Sequence, residues 1–299
     1  MPTPERASLA QVYAQVTTRL ENAGVPTPGP DADALIAHVM HKTPAEVRTA
    51  RARGDYLSGA HLDEVEDVVK RRVAREPLQH ICGRAPFRTH ELRVGPGVFV
   101  PRPETEVVAG AAIEAIRARE HSGEVPYAID LCAGSGAIAL ALVRETQARV
   151  WAVERDVYAL EYLRRNVADL TETERSRITV TAGDARTALD SLNGQCDVVV
   201  SNPPYIPPGA TPLEPEVAHH DPQVALYGLG PDGLEIPRGV ARAAARLLSP
   251  GGIFVMEHGQ EQGEATRALV GDIDAFVSAV THQDLAGRDR YLVAHTQSG

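Results

Sequence analysis

The tetrapeptide Asn202-Pro203-Pro204-Tyr205 follows an apolar run, Asp197 to Val200, and opens a proline-rich segment. A run of that kind reads as a buried strand, so the tetrapeptide belongs on the rim of a sheet. Its two prolines lack N–H donors and have a restricted φ, and the turn therefore presents carbonyl oxygens and an Asn amide with little freedom. The side-chain oxygen of Asn202 and the carbonyl of Pro203 can each accept one N–H, while the Tyr205 ring packs on the face of the group so held. Such a site suits a planar NH2 group. The alternative is a turn that merely ends a strand, since Asn and Pro are ordinary turn residues.

A second constellation supplies the opposite side of a reaction. Asp130-Leu131-Cys132-Ala133-Gly134-Ser135-Gly136 reads as a strand running into a small-residue loop and then a helix. Gly134 and Gly136 let a ligand approach the backbone closely, and the helix N-terminus has free N–H groups. The next strand ends in Glu154, where an acidic side chain can hold both hydroxyls of a ribose. The third ends in Gly183-Asp184, whose carboxylate or neighbouring backbone can meet the exocyclic amine of an adenine. Each has a purely structural alternative, Asp130 and Asp184 as helix caps and Glu154 as a solvated strand end. A dinucleotide site competes as well, because Ala139 stands at the third glycine position of that fingerprint and alanine is tolerated there. A dehydrogenase, however, gives its fourth strand no reason to end in Asn-Pro-Pro-Tyr. A transferase using an adenosyl sulfonium does, since the methyl is already activated and the protein must hold a weak nitrogen nucleophile in line with it.

The elements that must position these residues are legible in the apolar pattern. Leu9, Val12, Tyr13, Val16 and Leu20 share one helical face, ended by the Gly24 to Pro30 cluster. Asp31 is expected to cap a second helix, Thr43-Pro44 with Glu46 a third, and Ser58 a fourth that carries Leu62, Val65, Val68, Val69 and Val73. Phe87 to Val100, around Gly95-Pro96-Gly97, reads as a β-hairpin connector. The organisation expected is a helical domain over 1–82, a hairpin linker over 83–101 and an α/β domain over 102–299. In the last, strands are expected at Tyr127–Leu131, Arg149–Val153, Ile178–Thr181, Asp197–Ser201, Ile253–Glu257, Ala275–Val280 and Tyr291–His295. Their alternation with helices argues for a parallel sheet with helices on both faces and ligands at the strands' carboxyl ends.

Composition bounds the function class. The 299 residues carry a net charge of -10, which counts against unaided binding to a nucleic-acid backbone. Cys82, Cys132 and Cys196 show neither a C-x-x-C nor a regular spacing, so neither a zinc site nor a disulfide framework is indicated, and a reducing cytoplasm is the expected location. No apolar stretch reaches the length of a membrane span, and no signal peptide is expected. His219-His220-Asp221 and His258 beside Glu257 invite a metal reading, but methyl transfer needs none, and none is expected. The eight prolines between Asn202 and Gly233 mark a long loop, expected to act as a lid or docking loop.

Taken together, Asp130 to Leu140, Asn202 to Tyr205 and Pro101-Arg102-Pro103-Glu104-Thr105-Glu106 resemble the class I S-adenosylmethionine-dependent methyltransferases that modify a glutamine side chain in peptide chain release factors, the HemK/PrmC family. Further matches are Glu76-Pro77-Leu78-Gln79-His80, Asp232-Gly233-Leu234, Glu257-His258-Gly259 and Asp284-Leu285-Ala286-Gly287-Arg288-Asp289-Arg290. The resemblance implies a Rossmann-like, seven-stranded methyltransferase domain joined by a β-hairpin to a small N-terminal helical bundle that grasps the partner. It implies S-adenosylmethionine as cofactor and S-adenosylhomocysteine as product. Asp130, Cys132, Ala133, Gly134, Ser135 and Gly136 would surround the methionine part, Glu154 the ribose, and Asp184 with Ala185 the adenine edge. Asn202 would touch both cofactor and substrate. Asn202, Pro203, Pro204 and Tyr205 would hold the glutamine amide, with Arg102 and Pro103 lining the same cleft and an Arg102–Glu104 ion pair fixing that loop. The family's usual Gly-Thr before Gly134 is Cys132-Ala133 here, and Glu154 replaces the commoner Asp. The partner so implied is a class 1 release factor met by a monomer, without direct nucleic-acid or membrane contact. A ribosomal-protein glutamine, an adenine N6 or a non-catalytic cofactor-binding adaptor remain as alternatives.

Overall fold

The computed structural model of the chain describes residues 6–121, 123 and 125–299. It divides into two compact units, one holding the residues up to Arg84 with Pro212–His220, the other Ala85–Thr211 with Asp221–Gly299.

In the first unit local chemistry sets the helix starts. Ser8 and Gln11 form a reciprocal capping box that opens helix Leu9–Asn22, whose buried stripe is Leu9, Val12, Val16 and Leu20. Thr43 and Glu46 do the same for helix Pro44–Ala52, and the Ser58 side chain accepts from His61 N to open Gly59–Val73. Asp31 is not a cap: helix Pro28–Val39 begins three residues earlier. Prolines are tolerated in that first turn because its N–H groups have no intrahelical partner. Asp31 is instead a buried carboxylate that accepts from Arg72 Nε at 2.7 Å. A feature that no apolar pattern announced is the antiparallel pairing of β1 (Arg6–Ser8) with β2 (Tyr56–Ser58).

The hairpin of β3 (Arg84–Phe87) and β4 (His90–Arg93) lies, but for Arg84, in the second unit. Its turn lies at Arg88-Thr89 rather than at Gly95-Pro96-Gly97, a correction of the sequence expectation. Arg88 adopts φ 51°, and it is held there by its N–H to Glu106 and by a bidentate guanidinium contact with Glu145 at 2.5 and 2.7 Å. Gly95 lies beyond the hairpin, where a Cβ would come within 2.2 Å of the Tyr162 hydroxyl.

Seven strands follow: β5 (Tyr127–Leu131), β6 (Arg149–Glu154), β7 (Ile178–Ala182), β8 (Cys196–Ser201), β9 (Leu248–Glu257), β10 (Phe276–Gln283) and β11 (Asp289–Thr296). Their order across the sheet is β10-β11-β9-β8-β5-β6-β7. Neighbours run parallel from β9 through β7. The final strand, β11, is antiparallel to both β9 and β10, so the sheet is mixed rather than wholly parallel; a short turn at Asp284 to Arg288, closed by two backbone bonds, returns the chain directly from β10. Side chains alternate between two apolar layers: Val198 and Val200 join one, Val199 the other.

The segment after β8 is built, not structureless. It contains helices Pro215–His220 and Gln223–Leu226, and Ile206 bridges to Tyr227. Within the helical unit, Glu216 accepts from Arg72 at 2.8 Å and from both ends of the Arg75 fork at 2.7 Å. Burial alone would raise the Glu216 pKa, but the hydrogen bonds from Arg75 and Arg72 outweigh it and hold it down to about 2. A depressed carboxylate contributes stability above its unfolded pKa that is lost as pH falls through the folded one. Glu216→Ala is therefore expected to destabilise the packing of 212–220 by about 2 kcal/mol at neutral pH, the scale of losing hydrogen bonds to a charged, part-buried group. Amide hydrogen exchange across that segment reads the loss, and in the parent chain the same protection should fade between pH 4.5 and 2.

Candidate active site

Register brings the expected site residues to one rim. Leu131 lies opposite Val153 and Ser201, and Ser201 opposite Met256. The residues that follow, Cys132, Glu154, Asn202 and Glu257, therefore emerge side by side at the carboxyl ends of β5, β6, β8 and β9. β6 and β8 flank β5 on opposite sides, which makes this the point where the winding of the sheet reverses and a crevice opens.

On the β5 side, Asp130 is 1% exposed. Its Oδ2 accepts from Ala139 N at 3.0 Å, capping helix Ala137–Glu145, while Oδ1 has no partner among the described residues. Burial pushes its pKa up to about 8, against the pull of the Ala139 bond. A buried acceptor of this kind suits a cationic or N–H-bearing ligand group, whose charge would restore the carboxylate. Cys132, Gly134 and Gly136 all have positive φ, at 66, 57 and 91°. A Cβ on Gly136 would collide with Leu163 and Leu140, whereas one on Gly134 would meet nothing within 4 Å. Gly136 thus answers to packing, and Gly134 faces open space. Ala133 N is committed to Val153 O at 2.9 Å. Ser135 is buried, and its carbonyl accepts from Asn166 Nδ2. The Cys132 thiol is driven strongly upward by burial and by Glu154, so it is no thiolate.

Glu154 ties the rim to this loop. Its Oε2 accepts from Gly134 N at 2.8 Å, and Oε1 accepts from Arg155 N and Asp156 N at 2.7 Å. Three of its roughly four acceptor positions are therefore filled by backbone, so the contact with both ribose hydroxyls expected of it has one position left. Asp184 is engaged more fully. Both oxygens accept from the Arg186 guanidinium, at 2.9 and 2.7 Å, and Oδ1 also takes Arg186 N. Led by the Arg186 bond, these contacts lower its pKa to about 2. Ala185, expected beside it at the adenine edge, is buried.

On the β8 side, Asn202 Nδ2 donates to Thr105 Oγ1 at 3.2 Å, and Thr105 Oγ1 donates to Glu257 Oε2 at 2.8 Å. Because the hydroxyl proton goes to the carboxylate, Thr105 accepts from Asn202, and the amide is turned with its Oδ1 away from Thr105. Pro203 is buried, with Pro204 and Tyr205 half-buried. The Tyr205 hydroxyl donates to Glu257 Oε1 at 3.3 Å. Glu257, buried among these groups, has its pKa pushed up to about 7, chiefly by desolvation. In the sequence Thr105 stands within the 101–106 stretch, and Glu257 ends an expected strand, beside His258 and within a family match; neither is among the expected site residues. Their one sequence signal was position, at a helix start and at a strand's carboxyl end. Arg102 pairs with the fully buried Asp221 carboxylate at 2.5 Å, not with Glu104 as expected, and its guanidinium lies 5.0 Å from the Phe99 ring. Pro103 is exposed beside it. His258 is buried, its Nδ1 2.8 Å from Gly259 O. Among the described residues no group of His, Cys, Asp and Glu is arranged to hold a metal.

Backbone-to-backbone packing fixes the tetrapeptide. Ile206 N donates to Leu226 O and Gly228 N to Ile206 O, while Gln262 Nε2 donates to Tyr205 O at 2.8 Å. A Cβ on Gly228 would fall 1.8 Å from Gly233 O and 2.6 Å from Pro204 O. Gly228→Ala is expected to cost about 2 kcal/mol or more through forced backbone shifts, read as a lowered unfolding midpoint. Cys132→Gly is expected to raise the unfolding free energy by up to about 1 kcal/mol in urea titration, because glycine removes the left-handed strain at a smaller entropic cost.

Residues 11–83 match the family described as PrmC N-terminal domain, and residues 81–214 match the one described as Conserved hypothetical protein 95. The chain is 48% identical to the release factor glutamine methyltransferase of Streptomyces coelicolor, over 96% of this chain and 97% of that one. It is 40% identical to the Bifidobacterium longum protein of the same name, over 96% and 99%. A 4-amino-L-phenylalanine/4-methylamino-L-phenylalanine methyltransferase of Streptomyces pristinaespiralis is 38% identical, over 89% and 88%. With the register, the glycine loop and the Asn-Pro-Pro-Tyr rim already in place, these similarities establish that the chain belongs to the release factor glutamine methyltransferase family.

Proposed function

We propose that the chain transfers the methyl group of S-adenosylmethionine to the side-chain amide nitrogen, N5, of the glutamine in the Gly-Gly-Gln motif of class 1 peptide chain release factors. The observation that carries this reading is the orientation of Asn202, whose Nδ2 is committed to Thr105, which leaves Oδ1 as the acceptor on a turn that also carries the Pro203 carbonyl. Two oxygens on a rigid proline turn match the two N–H groups of a primary amide.

The residues on the β5 side fit the cofactor. The partnerless Asp130 Oδ1 suits the methionine ammonium, and Cys132, Ala133, Gly134, Ser135 and Gly136 offer a backbone cradle open at Gly134. Glu154 has one acceptor position for the ribose, and Ala185, with Asp184 held by Arg186, borders the adenine. When bound, the cofactor supplies a methyl already activated by its sulfonium. The chain's own work is on the acceptor. An amide nitrogen is a weak nucleophile because its lone pair is delocalised into the carbonyl. Accepting both N–H groups at Asn202 Oδ1 and Pro203 O aims that lone pair out of the turn and favours the positive charge that builds on nitrogen during transfer. The methylated nitrogen then sheds a proton readily, so no strong base is needed before attack. Pro204 and Tyr205 complete the turn, with Arg102 and Pro103 beside it.

In this reading the partner is a release factor met by a single copy of the chain in the cytoplasm, without nucleic acid; no described helix is long and apolar enough to cross a membrane. Incubation with methyl-labelled cofactor and, separately, a purified class 1 release factor, ribosomes, DNA and 4-amino-L-phenylalanine tests the substrate. Label on the Gly-Gly-Gln glutamine is expected, and label on any of the others alone overturns the assignment. Asn202→Ala is expected to lower single-turnover methylation by roughly 10²-fold, the scale of removing one oriented polar group, with a smaller change in cofactor affinity.

A further inference from the structure

The chain of hydrogen bonds behind Asn202 does more than fill buried space. An Asn side chain is nearly symmetric in shape, and its two ends differ only in which partner each accepts or donates to. If Asn202 were flipped, an NH2 would face the acceptor nitrogen and both would be donors. We propose that Glu257, acting through the Thr105 hydroxyl, is a positioning residue that fixes the Asn202 amide with its oxygen toward the methyl acceptor. This deepens the function proposed above and rests on it only for the identity of the acceptor.

The geometry leaves one consistent assignment of protons. As a carboxylate Glu257 accepts only, so Thr105 Oγ1 at 2.8 Å must donate to it and is left to accept from Asn202 Nδ2 at 3.2 Å. The other oxygen, Oε1, accepts from Tyr205, which ties the last residue of the turn to the same group. The charged and titratable groups that face Glu257 are Tyr205 on the turn, Arg290 on β11 and Glu104 ahead of the helix that carries Thr105. Tyr205 stays a phenol: burial and the Glu257 charge push its pKa well up. Arg290 also interacts with Tyr205, and its guanidinium lies 3.3 Å from Asp284.

Protonation would undo the assignment. A protonated Glu257 carries an O–H that displaces one of its two donors, so either Thr105 or Tyr205 must turn away. Burial pushes the Glu257 pKa up to about 7, opposed by Thr105 and Arg290 and helped by Glu104. The active carboxylate form is thus lost as pH falls through about 7, and turnover should fall with it. An amide acceptor has no titration of its own in that range; Asp130 on the cofactor side is also raised, so the limb is assigned to Glu257 by its loss in Glu257→Gln.

Three variants separate positioning from simple packing. Glu257→Gln presents an NH2 that can donate to Thr105. It is expected to lower kcat about 10-fold or more, leave cofactor affinity within about threefold, and abolish the acid limb near pH 7. Thr105→Val keeps the shape without the hydroxyl and should do the same, while Thr105→Ser restores turnover. A readout independent of turnover is the side-chain 15NH2 signal of Asn202 in the intact protein, whose slow exchange should be lost in Thr105→Val and kept in Thr105→Ser. Parental pH dependence and kcat in Glu257→Gln, or unchanged Asn202 exchange in Thr105→Val, would overturn the inference. If the parent leaves the release factor unlabelled while the Asn202 signals behave as expected, the acceptor assignment falls and the positioning role stands.

Discussion

One buried hydroxyl, Thr105 Oγ1, holds the site's polarity. It has one proton and two hydrogen-bonding neighbours of opposite demand, the Glu257 carboxylate at 2.8 Å and the Asn202 amide nitrogen at 3.2 Å. Because the carboxylate can only accept, the direction of every bond in the row is settled, and with it the face that Asn202 turns outward. The rest of the second unit can be understood as what makes this row possible. The parallel register of β8 with β9 sets Asn202 and Glu257 on neighbouring rim positions, and helix Thr105–Glu120 brings its first residue between them. The hairpin and Arg88 hold that helix start from below, through Glu106.

Close backbone approach is the second constraint. The turn that begins at Asn202 is enclosed by Gly228 and Gly233, each so near the carbonyls of 204–206 that a methyl group has no room. Gln262 adds two donor contacts, to Tyr205 O and Asp232 O. A primary-amide acceptor site needs this rigidity, because its two oxygens must stay oriented while charge develops on the nitrogen between them. The cofactor side is softer by comparison. Asp130 keeps one oxygen without a partner among the described residues, and Gly134 keeps open space where Gly136, two residues on, meets Leu163 and Leu140.

Much of this was legible in the chain. The strands beginning at Tyr127, Arg149 and Ile178, the one expected from Asp197, the Thr43–Glu46 cap and the clustering of loop, acid and Asn-Pro-Pro-Tyr at carboxyl ends all follow from apolar pattern and local hydrogen-bonding chemistry. The misses share a cause, which is that pairing over long sequence distance leaves no local mark. Asp31 has the sequence context of a cap, yet its partner is Arg72. Arg102 has Glu104 two residues away, yet it pairs with Asp221, 119 residues on. The hairpin turn was read at Gly95-Pro96-Gly97 because glycine and proline are the usual punctuation, whereas Arg88 takes the left-handed conformation under the hold of two acids. Thr105 and Glu257, 152 residues apart, meet only because of the sheet's register.

The most direct measurement is a high-resolution structure of the chain with S-adenosylhomocysteine and a peptide containing Gly-Gly-Gln. The glutamine amide nitrogen should lie within about 2.8–3.2 Å of both Asn202 Oδ1 and Pro203 O, with Asn202 Nδ2 still on Thr105. An amide nitrogen bound instead to Tyr205 or Glu257, or an Asn202 side chain turned so that its nitrogen faces the peptide, would contradict the account.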